Sequence, residues 1–262
     1  MFKLGLCSVT FREMSIKEVI SVCSEHGLEG IEWGGDIHLK PGAPLEFVAG
    51  VKEKCRDAGL VTPSYGSYFD VMEQEPEEFE HILERALVLE ADTIRVWPGW
   101  VRPENISGYQ LEKLTHTSKR IAEMAVVRNI RVAYEFHDHT PTEGGEALLS
   151  LLERVRHPNL YTYYQLIRPE ETEWNLNNLD QIYDRLAYIH VQANDYKRNL
   201  PLADFREVWQ KIIERLKARG YDGWLLFEFN KDNSVGQLEQ DLALIRSFIG
   251  SKTDTGGRCA ES

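Results

Sequence analysis

The sequence predicts an α/β protein, a (β/α)8 TIM barrel in a single domain, on three observations. Short β-branched and aromatic runs alternate eight times with longer amphipathic segments. Dividing 262 residues by eight gives roughly 33 per unit, the repeat of such a barrel. The first strand is followed by CSVTFREMS, without the GxGxxG turn that a doubly wound nucleotide-binding sheet usually carries there.

In chain order, KLGLCS (3–8) is the first predicted strand, and Ser15 N-caps the helix SIKEVISVCSEHG that follows. Val19, Ile20, Val22 and Cys23 recur there at helical spacing, and Gly27 ends the helix. LEGIEW (28–33) leads to PLEFVAGVKEKCRDAG, closed by Gly59. LVTPSYG (60–66) leads to PEEFEHILERALVLE, with Pro76 in the first turn. TIRVWPG (93–99), IRVAYEF (130–136) and NLYTYYQ (159–165) precede the helical segments starting at Tyr109, Thr142 and Asn175. LAYIHVQ (186–192) precedes DFREVWQKIIERLKARG, closed by Gly220, and GWLLFEF (223–229) precedes VGQLEQDLALIRSFIG. The barrel is expected over 1–250, with SKTDTGGRCAES (251–262) as a flexible tail because its apolar period is lost.

Composition narrows the function. Lys+Arg 30 against Asp+Glu 42 gives a formal charge of −12, so a nucleic acid would meet net repulsion. The N-terminal apolar run is cut by Arg12 and Glu13 before it forms a secretory core, and no apolar stretch is long enough to span a bilayer. Four cysteines without CxxC spacing suit a reducing compartment. These features predict a cytoplasmic protein that binds neither nucleic acid nor membrane.

Barrel chemistry gathers at the C-terminal ends of the strands. In Ala133-Tyr134-Glu135-Phe136-His137, alternation puts Glu135 and His137 on the inward face. The last strand does the same for Glu228, and the seventh puts Tyr188, His190 and Gln192 on one side. Two inward carboxylates and an imidazole need a cation, a hydrogen-bonding partner or a proton. A divalent metal would satisfy them, with neutral His190 as the nitrogen donor. The structural alternative pairs the carboxylates with Arg95, Arg131 or Lys231. Cys7 reads as a buried filler, with no partner base evident.

With TIRVWPG and ARGYDGWLLFE, the order of Glu135, His190 and Glu228 resembles the xylose-isomerase-like TIM-barrel superfamily of sugar and sugar-phosphate isomerases and epimerases. The resemblance runs from LEGIEW to the last helix and rests on short motifs in a fixed order. It implies a divalent ion (manganese, cobalt, magnesium or zinc) held by Glu135, Gln165, His190 and Glu228. It also implies proton transfer beside a carbonyl through an enediolate, with Glu135 and Glu228 as the catalytic pair. The implied partners are a small sugar or hydroxy-carbonyl substrate and a second copy of the chain. At the sixth strand the chain departs from the family. It reads Gln165-Leu166-Ile167-Arg168 where relatives carry an Asp with His three residues on. A neutral amide oxygen binds a hard cation more weakly than a carboxylate does, whereas Arg168 can hold an anionic substrate group.

Other expected substrate contacts each have a plain structural reading. Glu32 can meet a sugar hydroxyl or pair with Arg95. Trp97, like Trp33, Tyr65, Tyr68 and Trp100, can face a sugar ring or simply pack. His137 can bind substrate or be solvated, as can Lys197 beside Arg198, while His139 lies further into the loop. A DNA-repair endonuclease of the same superfamily needs three zinc ions and more His and Asp than these strand ends supply, and is set aside. A dehydratase or lyase acting on a hydroxy-ketone, and a non-catalytic sugar-binding barrel, stay open as alternatives.

Overall fold

Eight strand–helix units follow one another along the chain, and the strands close on themselves in sequence order. The structure is a computed structural model, and it describes residues 2–195 and 198–250. Lys197 and the expected tail, 251–262, lie outside the described residues. The strands are β1 (Lys3–Cys7), β2 (Gly30–Gly34), β3 (Ser64–Asp70), β4 (Thr93–Trp97), β5 (Arg131–Tyr134), β6 (Leu160–Tyr164), β7 (Leu186–Val191) and β8 (Trp224–Phe227). The helices are α1 (Ile16–Glu25), α2 (Leu45–Asp57), α3 (Phe79–Leu89), α4 (Gly108–Val126), α5 (Gly145–Val155), α6 (Thr172–Ile182), α7 (Arg206–Ala218) and α8 (Val235–Ile249). Every neighbouring pair is parallel, and β1 pairs with β8 through Lys3 opposite Trp224, which closes the ring.

Local signals act where the sequence places them. Ser15 accepts from the Glu18 amide while Glu18 accepts from the Ser15 amide, a reciprocal cap at the start of α1. Gly27, Gly59 and Gly220 adopt positive φ after α1, α2 and α7. β3 is the main difference: the apolar run begins at Leu60, but the strand begins at Ser64. Pro63 has no N–H to give the ladder, and the strand runs on to Asp70 through an irregularity between Gly66 and Phe69.

Strand side chains alternate between two cores. Ile31, Ile94, Val96, Val132, Tyr134, Ile189 and Leu225 face the helices and join their apolar stripes. Cys7, Ala133, Tyr163, Tyr188, Trp224 and Leu226 form a second cluster inside the barrel. Inside, the polar side chains Glu32, Arg95, Glu135, Gln165 and His190 are buried with them. Among the described residues, no helix is long and apolar enough to cross a membrane.

One buried carboxylate lies away from the strand ends. Asp241 in α8 is 2% exposed and accepts from the Leu202 amide at 3.2 Å and Gln237 Nε2 at 2.8 Å. Burial pushes its pKa from the ordinary 3.8 up to about 6, against those two donors. Between about pH 4 and 6 the folded chain therefore holds a proton that the unfolded chain has released, so stability falls as pH rises through that window. Asp241→Asn removes the charged form. At about pH 7.5 it is expected to stabilise the fold by about 1–3 kcal/mol, with the gain fading below pH 4. Urea unfolding at both pH values measures it, and a gain that does not depend on pH would refute this origin.

Candidate active site

Strand ends bring together residues far apart in sequence. Glu135 follows β5, and its amide is held by Val96 O at 3.1 Å. Glu228 follows β8, and its amide is held by Val191 O at 3.1 Å. These ladder bonds extend the strand geometry one residue past each end and keep both carboxylates on the inward parity. His190, inside β7, is fully buried, and Glu135 and Glu228 are each 3% exposed. His190 Nδ1 lies 3.0 Å from Glu228 Oε2 and 3.5 Å from Glu135 Oε1. Tyr163 stands edge-on to the imidazole at 4.8 Å and fixes its plane.

Beneath this trio lies a charged layer. Arg95 of β4 donates through Nε to Glu32 Oε1 at 2.9 Å and through Nη1 to Glu135 Oε2. Gly66 makes room: a Cβ there would come within 2.7 Å of Arg95 Nη2 and 2.9 Å of Glu32 Oε1. Glu32 Oε1 also receives the Cys7 thiol at 3.7 Å and lies 3.5 Å from His190 Nε2. Burial alone would raise the Glu32 pKa, but Arg95 and then His190 outweigh it and hold the carboxyl well below its usual range. For His190, burial favours the neutral ring, yet the facing Cys7 and Glu228 carry its pKa well above the ordinary imidazole value.

The charges show what this cluster lacks. Three carboxylates against one guanidinium leave a formal −2, which a protonated His190 halves and a divalent cation bound to the neutral ring would cancel. Glu135, His190 and Glu228 each offer one ligand atom, and the three lie within 4.8 Å of one another. Neither His190 nitrogen has an aligned hydrogen bond among the described residues, despite the short approach of Glu228. A buried imidazole whose nitrogens meet carboxylates without an aligned hydrogen bond fits a divalent metal ligand. Gln165 is also at this rim, but its Oε1 accepts from Gln192 Nε2 at 2.5 Å, and Gln192 Oε1 in turn accepts from Asn194.

Above the trio opens a cavity of about 410 Å³, walled by Tyr68, Trp97, His137, Gln165, Gln192 and Phe229, with Glu135 and Glu228 also lining it. His137 Nδ1 lies 2.7 Å from Asp138 Oδ1; burial would lower its pKa, but Asp138 outweighs this and raises it. Two expected contacts fall elsewhere. Glu32 is 1% exposed and lies under the cavity, bound to Arg95, so the sugar-hydroxyl reading is corrected to the ion-pair one. Arg168 turns away because Trp174 stacks on it at 4.5 Å and Glu143 takes Nη2 at 3.0 Å; it lines a separate surface cavity and not the one above the trio. Glu143 also receives Arg102 at 3.3 Å and the His139 amide at 2.8 Å, joining three loops. Trp33 and Tyr65 are buried, the latter donating to Leu39 O. Arg131 pairs with Asp92 and Tyr188 and not with the site carboxylates.

The structure gives Arg95, expected as a carboxylate partner, a double contact, puts Gln192 into the cavity wall, and adds the amides of Asn194 and Asn199. Arg95 left a signal: a lone cation at inward parity in an apolar strand. Gln192 left one too, sharing His190's face by alternation, whereas Asn194 and Asn199 left none, since their loop carries no pattern.

A closed (β/α)8 barrel with an acidic–imidazole cluster at its C-terminal rim defines the class. The xylose isomerase-like TIM barrel family matches residues 20–248, and the chain belongs to it. Solved structures share the fold. The probable 3-DHS dehydratase AsbF of Bacillus anthracis is 20% identical, with 94% of this chain and 98% of that one covered and a TM-score of 0.79. The 3-keto-D-glucoside 4-epimerase YcjR of E. coli is 17% identical, with 94% and 100% covered and a TM-score of 0.78. A D-allulose 3-epimerase from Methylomonas sp. is 16% identical, with 94% and 98% covered and a TM-score of 0.71. No curated protein matches the sequence.

Proposed function

We propose that this chain is a divalent-metal-dependent sugar isomerase or epimerase that moves a proton on a carbon next to a carbonyl. The observation that carries the reading is the convergence of Glu135, His190 and Glu228 under a cavity, with both imidazole nitrogens lacking an aligned partner. Those three would hold the ion (manganese, cobalt, magnesium or zinc), with the Gln165 amide oxygen as a weaker fourth donor. When bound, such an ion polarises carbonyl and hydroxyl oxygens and acidifies the intervening C–H.

The residues divide the remaining work. Arg95 donates to Glu135 Oε2, which fixes that carboxylate in place. Glu228 has no guanidinium bonded to it among the described residues and lines the cavity, so it is the better proton carrier. Glu32 faces His190 Nε2 from below at 3.5 Å, a charge contact that favours the ring's present orientation. Three buried free thiols, Cys7, Cys23 and Cys55, suit a cytoplasmic setting.

Two measurements test the reading: metal content after loading with manganese and removal of excess, and carbon-bound deuterium in a panel of ketoses incubated in heavy water. Stoichiometric metal with metal-dependent exchange is expected. Absence of both would leave a non-catalytic sugar-binding barrel. A second reading, loss of water from a hydroxy-ketone, is favoured by His137, whose raised pKa beside Asp138 suits it to protonate a leaving hydroxyl. Mass loss of water from the substrate would identify it. Glu32→Gln is expected to weaken manganese binding about 10–100-fold by loosening His190. Titration of the folded variant with manganese measures it, and unaltered affinity would remove Glu32 from this role.

A further inference from the structure

Gln165 follows β6 on the inward side, and its hydrogen bonds use one half of the amide and leave the other half unspent. Tyr163 lies inside the barrel, so Gln165, two residues on, shares its parity. Tyr164 pairs with Ile189, which sets Gln165 level with His190 across the ladder. The side chain is 2% exposed and lines the cavity with Glu135 and Glu228.

Three carboxamides form a chain that runs in one direction. Asn194 Nδ2 donates to Gln192 Oε1 at 2.8 Å, and Gln192 Nε2 donates to Gln165 Oε1 at 2.5 Å. The Gln165 oxygen is thereby turned to the neighbouring strand end, and its Nε2 donates to no described residue. The surroundings favour a nitrogen at this end. Glu135 and Glu228 line the same cavity, and an N–H suits the company of carboxylates where a further acceptor oxygen does not. Another amide of the wall, Asn199, spends its Nδ2 on Asn233 Oδ1 at 3.1 Å. Gln165 therefore brings an unspent donor to the reacting groups, with its orientation set by Gln192 and Asn194.

We propose that Gln165 is a catalytic residue, donating Nε2–H to the substrate oxygen that gains charge as the C–H proton leaves. The inference rests on the proton-transfer reading and adds a group to it. In that step Glu228 takes the proton, and the C–H electron pair forms the carbon–carbon double bond of the enediolate. The carbonyl π pair moves onto its oxygen. Gln165 gives up no proton; its hydrogen bond strengthens because the oxygen is more negative than the carbonyl was. When the proton returns to carbon, the same electron pairs move back. Beyond the bond from Gln192, Gln165 Oε1 keeps one lone pair and is a weak cation donor at most. Loss of the side chain is therefore felt at the substrate oxygen more than at the ion.

Acetohydroxamate tests this without the sugar being known, since its planar anion presents two cis oxygens as an enediolate does. Calorimetric titrations compare the unaltered chain with Gln165→Met and Gln165→Glu, using manganese first and then acetohydroxamate on the manganese-loaded protein. In Gln165→Met the hydroxamate is expected to bind about 10–100-fold more weakly, the loss of one hydrogen bond to a charged oxygen. Manganese affinity is expected to change by less than about threefold there, as for a weak neutral donor. In Gln165→Glu manganese should bind at least as tightly, while the hydroxamate is repelled by the new charge. Deuterium exchange into ketoses at saturating manganese should fall in both variants, through kcat and not through KM. Four results would overturn the inference: no hydroxamate binding to the unaltered loaded chain, unchanged hydroxamate affinity in Gln165→Met, an equal loss of manganese in that variant, or full exchange in Gln165→Glu. The last two would make Gln165 a plain metal ligand. The two readings fail separately. Hydroxamate binding that depends on Gln165, with no exchange into any ketose, would sink the catalysis and leave the donor. Normal exchange that ignores Gln165 would sink the donor alone, and an unaltered chain that takes up no manganese would sink both.

Discussion

Glu228→Gln is expected to lower metal-dependent deuterium exchange about 10²–10⁴-fold while the chain still folds. The substitution is nearly isosteric, and the carboxylate it removes lines the cavity beside His190 without a bonded guanidinium among the described residues. An amide can still offer an oxygen to a cation, so metal content is expected to fall less than exchange does. That split separates a proton carrier from a mere ligand. Heavy-water exchange and metal analysis on one preparation measure both quantities. If exchange survives, Glu228 is not the proton carrier, and Glu135 becomes the residue to substitute next.

The second large effect is on stability. Arg95→Met is expected to cost about 3–5 kcal/mol, because it strands Glu32 and Glu135 in the barrel interior without their guanidinium. Arg95 is 1% exposed, so the partner that both carboxylates lose is a buried one. Adding Glu32→Gln to Arg95→Met should recover part of the loss, since one stranded charge is then gone. Urea unfolding of the single and double variants checks both statements. A loss under 1 kcal/mol for Arg95→Met would mean that the ion pair is matched by solvent in the unfolded chain.

The fold was legible because both periodicities are strong. Strand runs alternate and helices repeat at 3.6 residues, and stops such as Gly27 and Gly59 fall at real helix ends. β3 was misjudged at its start because an apolar run containing Pro63 looks extended whether or not it can enter a ladder. The inward parity of Glu135, His190 and Glu228 could be read because alternation inside a strand is geometric. Arg168 could not be placed, since its direction is decided by Trp174 and Glu143, partners brought to it by other loops. Gln165 sits at the rim and Gln192 shares His190's face, as parity requires, but the bond between the two amides joins neighbouring strand ends and leaves no mark in the local pattern.

Glu143 gathers Arg102, Arg168 and the His139 amide, which belong to the loops after β4, β6 and β5. These segments are therefore mechanically one part. A chimera that swaps the β6–α6 stretch for a relative's would discard half of the clamp and let the other two drift. Diversifying specificity on this scaffold calls for exchanging the three as a cassette, with the shared carboxylate travelling along.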